Sequence, residues 1–221
     1  MIKGVIFDLD GIIIDSEPYW KLAEKKVFKS VGIKLTTEMC KKTTGLDNNS
    51  TVRYWYNYQP WMEKTLEEVA TEIIDEVLTS IMKHGAVNKG VMNLLKLFGE
   101  LKIPVAVASS SEKNIIQTVL EKIKLKDKFA AVCSSEDEEF GKPHPAVYIK
   151  AARMMNVEPE SCLAFEDSFY GALSAKSARM KVVAVLHKDI YTSTKFDFAD
   201  LKLRSLEEFG TKEFEIVNKE V

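Results

Sequence analysis

Met1-Ile2-Lys3-Gly4-Val5-Ile6-Phe7-Asp8-Leu9-Asp10-Gly11 opens with a short apolar run that ends abruptly in two acids and a glycine. That pattern suits a buried parallel strand whose C-terminal end is polar. Similar short runs recur at Val105-Ala106-Val107-Ala108, Ala130-Ala131-Val132-Cys133, Cys162-Leu163-Ala164-Phe165 and Val182-Val183-Ala184-Val185-Leu186. Helical spacing fills the gaps: Val91, Leu94, Leu95, Phe98 and Leu101 repeat every three or four residues, as do Ile115, Ile116, Val119, Leu120 and Ile123. Strands alternating with helices predict an α/β fold built on a doubly wound parallel sheet. Such sheets bind ligands beyond the C-terminal ends of their strands.

Residues 16–83 break the alternation. Leu66, Val69, Ala70, Ile73, Ile74, Val77, Leu78 and Ile81 form one long apolar face, and an earlier helix carries Leu22, Ala23, Val27, Phe28 and Val31 before Gly32 ends it. No good strand falls in this stretch. It reads as a small helical domain inserted into a core made of residues 1–15 and 84–221. The insertion is rich in aromatics (Tyr19, Trp20, Tyr54, Trp55, Tyr56, Tyr58, Trp61), which serve either as packing for a small bundle or as a sugar-facing surface.

Composition narrows the partners. Of 221 residues 46% are hydrophobic and 29% charged, the profile of a globular chain with room for one substantial core and a small second domain. The net charge of −2 and the scattered Lys and Arg argue against nucleic acid, which selects a basic surface. The N-terminal apolar run is too short for a signal peptide and no run is long enough for a bilayer, so no membrane partner and a cytoplasmic location are expected. Cys40, Cys133 and Cys162 lie far apart without a CxxC and read as reduced thiols. The small charge and the inserted domain are compatible with a monomer.

Four constellations carry chemistry. Asp8 and Asp10 sit where a parallel sheet opens to ligand, and they face the same side if the extended path continues. Two such carboxylates repel unless a cation joins them or one holds a proton. A hard divalent ion with oxygen ligands relieves that repulsion, and Mg²⁺ suits a phosphate site. Asp8 is then the nucleophile, forming an aspartyl-phosphate, while Asp10 protonates the leaving alcohol and deprotonates the incoming water. Taken alone, the pair is equally consistent with two acids capping a turn.

Ser109-Ser110-Ser111 follows one strand and precedes a helix, so its hydroxyls and free N–H groups make an anion site, with phosphate contact assigned to Ser109 and the Ser110 backbone. Plain N-capping by one serine fits the same residues. In Gly141-Lys142-Pro143-His144-Pro145 two prolines stiffen a loop, and a fixed Lys142 there would neutralise phosphate charge, though a solvated surface lysine fits the same residue; His144 shows no partner. Glu166-Asp167-Ser168 places acids after another strand, with Asp167 a metal ligand and Glu166 a second ligand or a hydrogen-bonding neighbour. Nucleophile, metal, phosphate cradle and charge neutraliser are together what phosphoryl transfer needs.

On Asp8-Leu9-Asp10-Gly11 through Asp15-Ser16, Ser109, Lys142-Pro143 and Glu166-Asp167-Ser168, the chain resembles the haloacid dehalogenase-like phosphohydrolases over essentially its whole length. The resemblance implies a Rossmann-like core with a helical cap that closes over substrate. It also implies Mg²⁺ held by Asp8, the Asp10 carbonyl and Asp167. Dehalogenases lack the second aspartate of the first motif, so Asp10 points to phosphatase chemistry. Within the β-phosphoglucomutase-like branch, Asp15-Ser16-Glu17-Pro18-Tyr19-Trp20 and Trp55-Tyr56-Asn57-Tyr58-Gln59-Pro60-Trp61 resemble the hexitol-phosphate and 2-deoxyglucose-6-phosphate phosphatases. The mutases carry a His where this chain has Trp20, and an Arg near Asn48 after the cap Gly45; both are absent. The expected enzyme is a sugar or sugar-alcohol monophosphatase, with Glu17 and Trp20 facing substrate from the cap. The alternatives are a β-phosphoglucomutase and a non-catalytic metabolite-binding regulator, the latter disfavoured because none of the acids is missing.

Overall fold

The computed structural model of the chain describes residues 1–43 and 46–219. Its strands β1 (Gly4–Phe7), β2 (Val105–Ser109), β3 (Ala131–Ser134), β4 (Cys162–Glu166) and β5 (Lys181–Val185) coincide, within a residue or two, with the five apolar runs. β6 (Leu201–Leu203) was not foreseen: three residues at a sheet edge need no long apolar run. All neighbours pair in parallel, in the order β3-β2-β1-β4-β5-β6. This is the Rossmann-like order, in which the chain builds outward from β1 to β3 and then returns to β1's other side at β4. The crevice at that reversal lies between β1 and β4, where Phe7 pairs with Phe165.

Between β1 and β2 come α1 (Glu17–Ser30), α2 (Thr37–Cys40), α3 (Asn48–Tyr58) and α4 (Leu66–His84). α1 packs on α4, burying Ala23, Val27 and Phe28 against the face formed by Val69, Ile73, Ile74, Val77 and Ile81. Gly32, at φ +86°, ends the first of these helices in the left-handed conformation glycine tolerates. The chain leaves and re-enters the core side by side. Ile14 bridges Val87, and the Asn88 side-chain amide donates to the carbonyls of Gly11 (2.9 Å) and Ile12 (3.2 Å).

Both sheet faces are covered, and side chains alternate between them. Val5, Phe7, Val107, Leu163, Phe165 and Val183 face α5 (Val91–Glu100) and α6 (Lys113–Lys122). Ile6, Ala106, Ala108, Ala164, Val182 and Ala184 face α7 (Ala146–Met154) and α8 (Phe169–Ser177). Alanine on this second face lets the helices lie close to the sheet. α9 (Thr211–Asn218) closes the first face, its Phe214 packing on Phe98. All three cysteines are buried and free of disulfides. Among the described residues no helix is long and apolar enough to cross a membrane.

Candidate active site

The polar residues expected from the sequence gather where β1, β2 and β4 end. Asp8 follows β1 directly, and its N–H donates to the Phe165 carbonyl at 3.0 Å. Lys142 enters from the loop before α7, its side chain almost wholly buried. Its ammonium donates to Asp8 Oδ1 (2.9 Å), Glu166 Oε1 (2.6 Å) and the Ala108 carbonyl (3.2 Å). These three acceptors match the three donors of an ammonium group. Tyr148, on the buried side of α7, donates its hydroxyl to the same Glu166 Oε1 at 2.7 Å. Glu166 Oε2 accepts from the N–H groups of Asp167 and Ser168 and from the Ser168 hydroxyl, at 3.0 to 3.1 Å.

Two glycines make room for these carboxylates. Gly11 is at φ +78°, and a Cβ there would overlap the Asp167 carboxylate; a Cβ on Gly171 would overlap that of Glu166. Any larger residue at either position would have to displace an acid from the site.

One oxygen each of Asp8, Glu166 and Asp167 lies within 4.8 Å of the others. Crowding acids in a dry place favours their protonated forms. Burial pushes the Asp8 carboxyl up to about 8; Lys142 opposes this, while Glu166 and Asp10 add to it. Burial, then Glu166 and Asp8, likewise hold Asp167 well above the usual carboxylate range. Burial works against the charge of Lys142, but Asp8 and Glu166 outweigh it and raise its pKa. One lysine therefore faces three acids, and a divalent cation is the partner that relieves such an excess. The donor set is all oxygen, as a hard cation requires. Both oxygens of Glu166 are already occupied by donors, which makes it the residue that aligns Lys142 and the Asp167 backbone.

Asp10 reaches the site by a route the sequence did not foretell. The extended path stops at once: the Leu9 carbonyl accepts from the N–H groups of Ile13 (2.9 Å) and Ile14 (3.1 Å), closing a tight turn. Asp10 nevertheless lines the same cavity as Asp8. Its Oδ1 accepts from the Ser16 hydroxyl and from the indole N–H of Trp20 (3.1 Å), and its Oδ2 from the hydroxyls of Ser111 (2.6 Å) and Ser109 (3.4 Å). The carboxylate is thus taken up by hydroxyls and an indole and is not part of the Asp8, Glu166 and Asp167 cluster. Ser109 is fully buried, with its oxygen also accepting from the Ser111 N–H at 3.0 Å. Of the run Ser109-Ser110-Ser111, it is Ser110 and Ser111 that line the cavity, and Ser109 does not.

The cavity, about 740 Å³, lies between these strand ends and the inserted helices. Glu17 and Trp20, expected to face substrate, both line it, and each also has a local partner. Glu17 pairs with Lys21 at 2.5 Å, and Trp20 holds Asp10. Of the seven aromatics noted in the insertion, Trp20 alone lines the cavity. Trp55 and Trp61 are buried around Phe28, and Tyr54 and Tyr58 face outward. The packing reading of the aromatics holds, and the cavity wall is built from amides and acids instead. Asn48 lines it while its amide donates to the Ala70 carbonyl at 2.9 Å; Gly45 lies outside the described residues. Tyr148, Ser111 and Glu24 were not singled out from the sequence. A tyrosine on an otherwise apolar helix face, whose buried hydroxyl needs a partner, was the available signal for Tyr148.

Residues 5–185 match the family model described as haloacid dehalogenase-like hydrolase. The chain is also 35% identical over 213 residues to hexitol phosphatase B of Escherichia coli K12, covering 96% of each chain. The chain is a haloacid dehalogenase-like hydrolase. A phosphorylated carbohydrates phosphatase of Thermotoga maritima is 27% identical, with 84% of this chain and 86% of that one covered. The β-phosphoglucomutase of Clostridium difficile superposes with a TM-score of 0.86 at 25% identity, over 99% of this chain and 98% of that one. Membership in the haloacid dehalogenase-like hydrolases bears out the expected enzyme class, a hydrolase of phosphoric monoesters, and the Rossmann-like core with it.

Proposed function

We propose that the chain hydrolyses small sugar or sugar-alcohol monophosphates through an aspartyl-phosphate on Asp8. The observation that carries this reading is the division of labour between two carboxylates lining one cavity. Asp8 is held by Lys142 within the acid cluster, while Asp10 is held apart by hydroxyls and an indole. An Asp8 oxygen attacks phosphorus as the bond to the leaving oxygen breaks, and Asp10 gives that oxygen its proton. Asp10 then takes a proton from water, whose oxygen attacks the phosphorus of the acyl phosphate and releases phosphate and free Asp8. Lys142 offsets charge on the phosphoryl oxygens, and Ser110 and Ser111 border the place they occupy. Asp8, Asp167 and the Asp10 carbonyl would hold Mg²⁺, which when bound supplies charge neutralisation for the same oxygens. Residues 16–83 serve as a cap over a core of residues 1–15 and 84–221, and cap side chains choose the substrate.

The substrate class is supported by the named activities of the relatives and by the polar cavity wall. Phosphate release from a panel of sugar and alditol phosphates with Mg²⁺ tests the reading, with Asp8→Asn as the blank. Release from at least one ester at about 10⁴ times the blank rate or more is expected; no release above the blank overturns it.

The likeness to a β-phosphoglucomutase structure keeps a second reading in play. A mutase must also grip a second phosphate, yet Lys21 is the single cation the inserted helices offer the cavity among the described residues, and it is paired with Glu17. Incubation with β-glucose 1-phosphate and a bisphosphate primer separates the two. Free phosphate forming faster than glucose 6-phosphate is the expected result.

A further inference from the structure

α1 turns one polar stripe toward the cavity: Glu17, Trp20, Lys21 and Glu24, spaced as neighbours along a helix face. Three of these have their polar groups spent. Glu17 and Lys21 pair with each other, and the Trp20 N–H is on Asp10. The next lysines point elsewhere, Lys25 to the Thr37 hydroxyl (2.9 Å) and Lys26 to Glu76 (2.5 Å). Among the described residues Glu24 is left with a hydrogen bond from the Cys40 thiol, a weak donor. Burial pushes the Glu24 carboxyl up to about 7, and that hydrogen bond and the charge of Lys21 offset it only in part. A carboxylate offers about four acceptor positions, so most of this one's capacity is unused.

The surroundings limit what can use that capacity. Asp47, Glu112, Glu136, Glu138 and Glu139 also line the cavity, and Lys21 and Lys142 are the only cations among its described lining residues. A second phosphate in this cavity would enter a lining richer in acids than in cations, whereas hydroxyl groups bring donors and no charge. Paired hydroxyls on neighbouring carbons match the two oxygens of one carboxylate.

We propose that Glu24 recognises the carbon chain of the substrate, accepting hydrogen bonds from two neighbouring hydroxyls of an uncharged polyol or sugar unit and disfavouring esters with a second phosphate. The assignment rests on the phosphatase reading above and names the residue that gives it selectivity.

Steady-state phosphate release by the Mg²⁺-loaded full chain and its Glu24→Gln and Glu24→Ala variants tests it. The esters are sorbitol 6-phosphate, glucose 6-phosphate, fructose 1,6-bisphosphate and 4-nitrophenyl phosphate, which has no hydroxyl on its ring. Both variants should raise KM for sorbitol 6-phosphate or glucose 6-phosphate about tenfold or more, with kcat within about threefold. The kcat/KM ratio of that ester to 4-nitrophenyl phosphate should fall by a similar factor, and Glu24→Gln should raise the relative rate on the bisphosphate. Equal losses on all esters, or no change on the hydroxylated ones, overturn the assignment while the phosphate released keeps the phosphatase reading standing. No release by the wild-type chain from any ester overturns both.

Discussion

Glu24 lines the cavity and Glu166 is buried beneath its core side, next to the lining residue Asp167, and their surroundings differ sharply. Glu166, on the core side, is fully buried and accepts from five donors: Lys142, Tyr148, two backbone N–H groups and the Ser168 hydroxyl. Glu24, on the cap side, has the Cys40 thiol. A buried charge is tolerated when its acceptors are met, and the acceptors of Glu166 are met within the protein itself. The cap side keeps unmet capacity that a substrate can fill. In the proposed reading the first region holds the chemistry ready, and the second is where selectivity is set.

The largest blow to this contrast is Lys142→Ala, which leaves Asp8 and Glu166 buried without their shared cation. A loss of about 3–5 kcal/mol in urea unfolding is expected, with phosphate release slowed by about 100-fold or more. Unchanged stability would show that the core side is not the tightly paired region its geometry describes. Trp20→Phe should come next. It removes the N–H that holds Asp10 from the cap, and kcat on alkyl phosphates should fall about tenfold. The effect on 4-nitrophenyl phosphate should be clearly smaller, because a good leaving group needs little help from a proton donor. An equal loss on both esters would mean that Trp20 acts on something other than Asp10's proton.

Smaller effects sharpen the comparison. Tyr148→Phe takes one of five donors from Glu166 and should cost about 1–2 kcal/mol in stability, read by thermal or chemical unfolding. Glu24→Gln probes the cap side through pH. Folding raises the Glu24 carboxyl from 4.5 to about 7, so between these values the folded chain holds a proton that the unfolded chain releases. Its contribution to stability is full below pH 4.5 and is lost as pH rises to about 7. Glu24→Gln should therefore be stabilised relative to wild type by up to about 3 kcal/mol more at pH 8 than at pH 4.5, less where water screens the partly exposed carboxyl. A difference independent of pH would place Glu24 in water rather than against the cavity wall.

Much of the core side was legible from residue order. Short apolar runs that stop in acids, serines or a lysine loop marked β1, β2 and β4 and the groups at their ends, because a parallel strand buried on both faces must be apolar until it emerges. Asp8, Lys142, Asp167 and Glu166 all converge as that pattern required. The cap was legible as helices but not as a surface. Seven aromatics in the insertion read mostly as packing, with a sugar-facing role for some of them left open. A helix period shows which residues share a stripe and is silent on which stripe meets which neighbour. Hence Trp55 and Trp61 are core residues of the bundle while Glu24, an unremarked charge in a lysine-rich helix, lines the cavity.

The sequence by itself determined the alternation of strand and helix, the helical insertion after the first strand, and the acids, serines and lysine at the strand ends. Those are local properties, written in periodicity and in where apolar runs stop. The tertiary structure alone decided which groups share a proton or a charge. It turned Asp10 through a tight bend onto Ser16, Trp20 and Ser111, filled Glu166 with five donors, and left Glu24 nearly empty-handed at the wall. Hydrogen bonds between residues as far apart in the chain as Asp10 and Ser111 depend on how elements pack, and no local pattern in the chain records that packing.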